Sequence, residues 1–136
     1  MTDLELIALA EAAREYAYSP YSDYTVGAAL LTEDGRVFKG SNLENASYSA
    51  TLCAERSAFA QAISQGCRAF QAIAVVGGKA GQAPNSFFMP CGICRQVMRE
   101  FCADDFRILV SDGQTIRSQT LAELLPGSFS ADAMQK

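Results

Sequence analysis

This 136-residue chain contains no histidine. Any metal site must therefore be built from thiolates, carboxylates and water, and any general acid or base must be something other than imidazole. Positive charge is also scarce: 11 Lys and Arg stand against 15 Asp and Glu, a formal net charge of −4. That balance argues against a phosphate polymer as the main ligand, because such proteins usually carry a basic face. No apolar run approaches the roughly 18 residues needed to span a bilayer. Thr2-Asp3-Leu4-Glu5 reads as a helix start, not as a basic leader. The sequence thus predicts a cytoplasmic protein that binds neither a nucleic-acid polymer nor a membrane.

What is present suits one compact domain over residues 1–136. Hydrophobic residues make up 49% and charged residues 19%, enough apolar side chain for a packed core. The five cysteines are an odd number, whereas a small secreted disulfide scaffold favours an even count. Clustered cysteines in a reducing compartment point instead to metal or catalysis.

Thr2 with Glu5 predicts a capped helix over 4–17, ended by Ser19-Pro20. Strands are expected at 24–32 and 36–39, joined by the Asp34-Gly35 turn. A polar, irregular stretch over 41–52 leads to a helix at 54–65, stopped by Gly66. A buried strand at 72–76, a loop over 77–89 and a helix at 92–102 follow. Strands at 107–110 and 115–119 flank Asp112-Gly113, and a short helix at 121–125 closes on Pro126-Gly127. The unit from 72 to 110 is strand-helix-strand, so its two strands should be parallel. The expected fold class is α/β: three α-β-α layers around a mixed sheet of about five strands.

Two cysteine motifs open predicted helices: Cys53-Ala54-Glu55, and Pro90-Cys91-Gly92-Ile93-Cys94. Cys91 and Cys94 are three apart and share one face of a first helical turn. Cys53 supplies a third ligand if the two helix starts converge. Three protein ligands on tetrahedral zinc leave one position for water, the layout of a catalytic site and not of a closed structural one. Three thiolates also overcompensate the ion's charge. Each helix N-terminus offsets this with roughly half an elementary charge and free N–H donors. Arg56 is a candidate for donating to thiolate sulfur; the competing reading is a solvated helix charge. Glu55, two residues from a ligand, reaches the metal's water without binding the metal. By position alone it reads equally well as an exposed first-turn carboxylate. Cys91-Gly92-Ile93-Cys94 alone could be a redox pair, but the separate Cys53 motif weighs against that. Cys67 and Cys102, outside both motifs, are expected as free thiols.

The chain resembles the small homotetrameric, zinc-dependent cytidine deaminases. The resemblance runs through Tyr21–Leu30 (YSDYTVGAAL), Gly40–Tyr48 (GSNLENASY), Cys53-Ala54-Glu55-Arg56, Pro90–Val97 (PCGICRQV) and Leu124–Phe129 (LLPGSF). It implies one zinc per subunit on Cys53, Cys91 and Cys94, with Glu55 shuttling protons from the activated water to ring N3 and to the departing amine. It implies hydrolysis of cytidine and 2′-deoxycytidine to the uridines plus ammonia, a reaction of pyrimidine salvage. Asn42 and Glu44 are implied to hydrogen-bond the ribose, and the Ala54 amide to hold the pyrimidine O2. Ala46, Tyr48 and Phe129 are implied to reach into a neighbouring subunit's site, so that active sites lie at interfaces of the homotetramer. Tyr24 stands beside base and sugar where the family commonly has Phe, and its hydroxyl needs a partner if buried.

The residues themselves agree in part. Asn42 and Glu44 alternate on an extended segment and can face one way, although a polar loop with turn-forming Asn has the same composition. Phe129 follows Pro126-Gly127 in a polar tail, where a pyrimidine ring or its own subunit could receive it. Three other functions compete: a blasticidin S-type deaminase, a polynucleotide deaminase and a non-catalytic zinc module. The Asn42 and Glu44 pair disfavours the first, the acidic balance the second, and the otherwise idle Glu55 the third.

Overall fold

The computed structural model of the chain describes residues 1–134. Helix α1 (Asp3–Ala13) begins with the expected reciprocal cap: Thr2 Oγ1 accepts from the Glu5 amide and the Glu5 carboxylate accepts from the Thr2 amide, both at 3.1 Å. It ends earlier than the sequence suggests, tightening into a 3-10 turn over Arg14–Tyr16. Arg14 turns inward there and is only 8% exposed.

The hairpin is β1 (Tyr24–Thr32) and β2 (Val37–Ser41). After α2 (Ala54–Ser64) come β3 (Phe70–Lys79), α3 (Gly92–Phe101), β4 (Arg107–Ser111), β5 (Ile116–Thr120) and the short α4 (Leu121–Leu124). The sheet order is β2-β1-β3-β4-β5. β3 and β4 are parallel and the other neighbours antiparallel, so the sheet is mixed and five-stranded as anticipated.

β3 departs from expectation by running on through Gly77, Gly78 and Lys79, which the sequence assigns to a loop. β1 is nine residues long and pairs with β3 up to Tyr24–Lys79, so the backbone groups of the two glycines find ladder partners.

Side-chain alternation divides the core into two layers. Ala29, Leu31, Ala72, Ala74, Val76 and Leu109 face α1, where Leu6, Ile7 and Ala10 meet them. Ala28, Leu30, Ile73, Val75, Ile108 and Val110 face the other way, onto α2, α3 and α4. Phe59 on α2 packs against Phe70, Phe101 and Phe106 and ties these helices to the sheet. Burying a side chain of that size is worth about 1.5–3 kcal/mol. The second layer therefore fixes where α2 and α3 begin.

Candidate functional site

Both helices that carry the cysteine motifs start with cysteine at the N-cap, Cys53 for α2 and Cys91 for α3. Neither side chain caps its own helix. Ser, Thr, Asp and Asn are the usual choices there, so two cap positions have given up a capping oxygen for a free sulfur. Cys94 sits one turn into α3 and is buried. The three Sγ atoms all lie within 4.8 Å of one another, with Cys53 and Cys91 3.9 Å apart. Ligands at about 2.3 Å on a tetrahedral zinc stand roughly 3.8 Å from each other. The cluster has the right donors and nearly the right spacing for that ion. Among the described residues it is the only such group of three.

Electrostatics favour the thiolate at Cys53 and oppose it at Cys94. The neighbouring Cys94 thiol and the Arg56 guanidinium hold Cys53 down at about 5. Cys94 is pushed up in turn, by its pairing with Cys53 and by burial. Arg56 Nη2 donates to Cys53 Sγ at 3.5 Å and to the Thr51 carbonyl at 3.2 Å. Its Nε–H is buried without a partner. One edge of the partly buried guanidinium therefore faces Cys53.

Glu55, in the first turn of α2, is 5% exposed, which removes the reading of a solvated first-turn carboxylate. Burial pushes its pKa up to about 7. It lines a cavity of about 260 Å³ that is also lined by Tyr24, Asn42, Glu44, Ala54, Cys53 and Cys91. The cavity thus joins one side of the cysteine cluster, one buried carboxylate and the polar side chains of Ser22, Asn42, Glu44 and Thr51.

Asn42 and Glu44 are already engaged. Asn42 Oδ1 accepts from the Val26 amide at 2.9 Å and its Nδ2 donates to the Tyr24 carbonyl at 3.0 Å. Glu44 accepts from the amides of Tyr21 and Ser22 at 2.9 and 3.1 Å and from the Ser22 hydroxyl. These bonds, led by the Ser22 hydroxyl, hold the Glu44 carboxyl below its usual range. Each side chain keeps spare capacity, one N–H on Asn42 and free lone pairs on Glu44. Both also position the start of β1, a role their spacing did not reveal.

Ala46, Tyr48 and Phe129 lie outside this cavity. Ala46 is exposed. Tyr48 is 74% exposed on a 3-10 turn, edge-on to Tyr21, and borders a neighbouring cleft. Phe129 is 63% exposed. Its segment is tied to α3 by Arg95 Nη1 to the Leu124 carbonyl, Arg99 Nε to Ser128 Oγ and Gln96 Nε2 to the Phe129 carbonyl, at 2.8–2.9 Å. The backbone is anchored while the ring stays free. Cys67 and Cys102 are buried free thiols, and burial pushes Cys102 up to about 12. Six cavity residues escaped the sequence reading: Ser22, Val26, Thr51, Val75, Phe88 and Met89. The signal for the last two was an apolar Phe87-Phe88-Met89 at the end of an otherwise polar loop.

Comparison with known proteins gives a consistent picture. The family profile described as the cytidine and deoxycytidylate deaminase zinc-binding region matches residues 1–110. A cytidine deaminase of Sporosarcina psychrophila is 48% identical over 129 residues, 94% of this chain and 91% of the relative. One from Halalkalibacterium halodurans is 50% identical over 130 residues, 95% of each. The crystal structure of cytidine deaminase from Burkholderia pseudomallei superposes with a TM-score of 0.87 at 45% identity, covering 95% of this chain and 100% of that one.

Proposed function

The chain belongs to the cytidine and deoxycytidylate deaminase family, and from that premise we propose how its residues divide the hydrolysis of cytidine to uridine and ammonia. The protein is a zinc-dependent hydrolase acting on the C–N bond of a cyclic amidine. The observation that carries this reading is the convergence of the Cys53, Cys91 and Cys94 sulfurs, with Cys53 and Cys91 lining the same cavity as the buried Glu55.

Zinc on the three sulfurs supplies the Lewis acid that brings the pKa of water down to about 7. Glu55, pushed by burial to about 7, is poised to exchange a proton with that water near neutrality. The two protons of the water end on ring N3 and on the departing ammonia, and Glu55 is the carrier for both. Arg56 and the two helix starts offset the excess negative charge of three thiolates. The Ala54 amide, a free first-turn donor, holds the pyrimidine O2. Asn42 and Glu44 bind the ribose with the capacity β1 leaves them, and Tyr24 stands beside base and sugar. Their placement in the cavity supports a nucleoside over a substrate without an intact ribose. 2′-Deoxycytidine fits the same reading.

The direct test follows the cytidine absorbance band. Added protein should abolish it with cytidine and with 2′-deoxycytidine, and a zinc chelator should stop the loss. Turnover of blasticidin S but of neither nucleoside would reverse the substrate assignment.

We further propose a homotetramer in which Ala46, Tyr48 and Phe129 complete a neighbour's site. Their exposure outside the chain's own cavity supports this, as does the anchoring of the Phe129 backbone with its ring left free. Light scattering should give a mass of about four chains, and a mass of one chain at working concentration would contradict shared sites. No helix among the described residues is long and apolar enough to cross a membrane. The five unpaired thiols suit a reducing compartment, which supports a cytoplasmic place in pyrimidine salvage.

A further inference from the structure

The segment between β3 and α3 is held at four points. Arg14 clamps its root, donating from Nη2 to the carbonyls of Lys79 and Gln82 at 3.2 and 2.9 Å and from Nε to the Thr25 carbonyl at 3.1 Å. Pro84 is buried against two glycines. A Cβ at Gly113 would come within 2.7 Å of the Pro84 carbonyl oxygen, and one at Gly78 within 3.3 Å of the Pro84 Cα. The Arg117 guanidinium lies 4.2 Å over the Phe87 ring. Finally, Phe88 lies where a side chain on Gly77 would stand: a Cβ there would be 2.3 Å from the ring. The Phe88 ring also packs against Tyr24, with centroids 5.9 Å apart and planes tilted by 41°. Gly77 follows Val75 on the cavity face of β3, so the whole segment serves to set one aromatic ring into the cavity wall.

The base has few edges left for that wall to meet. In the deaminase reading, on which this inference rests, Ala54 and Glu55 take the O2 and N3 edge, the cysteine cluster would hold the water that meets C4, and Asn42 and Glu44 take the sugar on N1. The remaining edge, C5–C6, carries only C–H groups, and the remaining lining is Tyr24, Val26, Val75, Phe88 and Met89, with Ser22 and Thr51 as its hydroxyl members. An edge without donors or acceptors matches the apolar part of that wall.

We propose that Phe88, buttressed by the 80–90 segment and paired with Tyr24, is a specificity-determining residue that limits the size of group a pyrimidine nucleoside carries at C5. The test compares kcat/KM for cytidine, 5-methylcytidine and 5-iodocytidine in the zinc-loaded protein. Phe88→Ala should raise the ratio of the 5-iodo substrate to cytidine by about 10-fold or more, the range that opening an apolar pocket by one or two carbons gives. Intrinsic effects of iodine on the chemistry cancel, because the same two substrates are compared in each variant. Gly77→Ala should lower the ratio, since its methyl drives the Phe88 ring off β3 and toward the base. Competitive inhibition by uridine and 5-iodouridine should shift in the same two directions without any turnover. If Phe88→Ala fails to fold, Phe88→Leu takes its place with a smaller rise. A ratio unchanged within about twofold in the folded Phe88 variant, or a shift of the same sign in both, overturns the proposal. Failure of the unaltered protein to turn over cytidine would be a different result: it removes the deaminase reading, and this inference with it.

Discussion

Glu55→Gln is expected to lower kcat for cytidine by at least about 10²–10⁴-fold, the usual contribution of a positioned acid–base group, while zinc content and folding stay close to those of the unaltered protein. The substitution removes only the ability to accept and return a proton. Glutamine has nearly the same shape, so the tightly enclosed site, 5% exposed, needs no repacking. It also removes a buried carboxylate whose ionisation is opposed first by desolvation and then by the Cys53 thiolate. Stability should therefore hold or rise slightly, and metal affinity should not fall. Zinc content by atomic absorption, a denaturation midpoint and kcat under saturating cytidine separate the cases. Near-normal kcat would refute the proton-carrier role. Loss of zinc together with activity would show that Glu55 acts through the metal ligands and not on the reactants.

The placement of the cysteine cluster and Glu55 was legible in the sequence because it is local. Cys53 and Glu55 are two apart, and Cys91 and Cys94 share one helical turn, so spacing alone placed them correctly relative to each other. Convergence of the two helix starts was an expectation, and the aromatic packing of Phe59, Phe70, Phe101 and Phe106 joins the middle of α2 to the end of α3 and to the sheet. What the sequence concealed is long-range. Gly77-Gly78 reads as a turn in isolation, yet both residues are strand, because β1 pairs with them and because Phe88 and Arg14 occupy the space a Cβ would take. Arg14 reads as one more helix charge. It is instead the buried clamp on a segment more than 60 residues away. Asn42 and Glu44 were read for the ribose or as a polar loop, and their bonds to the 21–26 segment emerged only from the fold. The cap on α4, where Thr120 and Glu123 satisfy each other's amides, repeats the Thr2 and Glu5 pattern and was readable by the same rule.

A methyl group at Gly40 should cost the protein heavily, because β2 there lies directly against the backbone of α2. A Cβ at this position would be 2.4 Å from the Ala54 carbonyl oxygen, 2.5 Å from the Ala58 amide nitrogen and 3.1 Å from the Ala58 Cα. These are main-chain atoms of the first turn of α2, the carbonyl and amide that pair four residues apart along a helix. No side chain can rotate away to relieve the contact, so the helix start must move by about 1 Å to restore ordinary carbon contacts of 3.5–4 Å. Overpacking of this kind costs about 1–3 kcal/mol, and a clash with three backbone atoms belongs at the upper end. The movement would carry Cys53, Ala54 and Glu55 together, and a misplacement of about 1 Å at a catalytic group can cost on the order of 10²-fold in rate. Gly40→Ala should therefore lower the denaturation midpoint strongly, weaken zinc retention and depress kcat/KM below that of a merely destabilised protein assayed well under its midpoint. Gly92→Ala serves as the comparison: a Cβ there meets nothing within 4 Å, so its stability should stay within about 0.5 kcal/mol of that of the unaltered protein. An unchanged midpoint and unchanged zinc retention in Gly40→Ala would mean that direct contact with β2 does not hold the start of α2 in place. Its register would then rest on the aromatic packing around Phe59 alone.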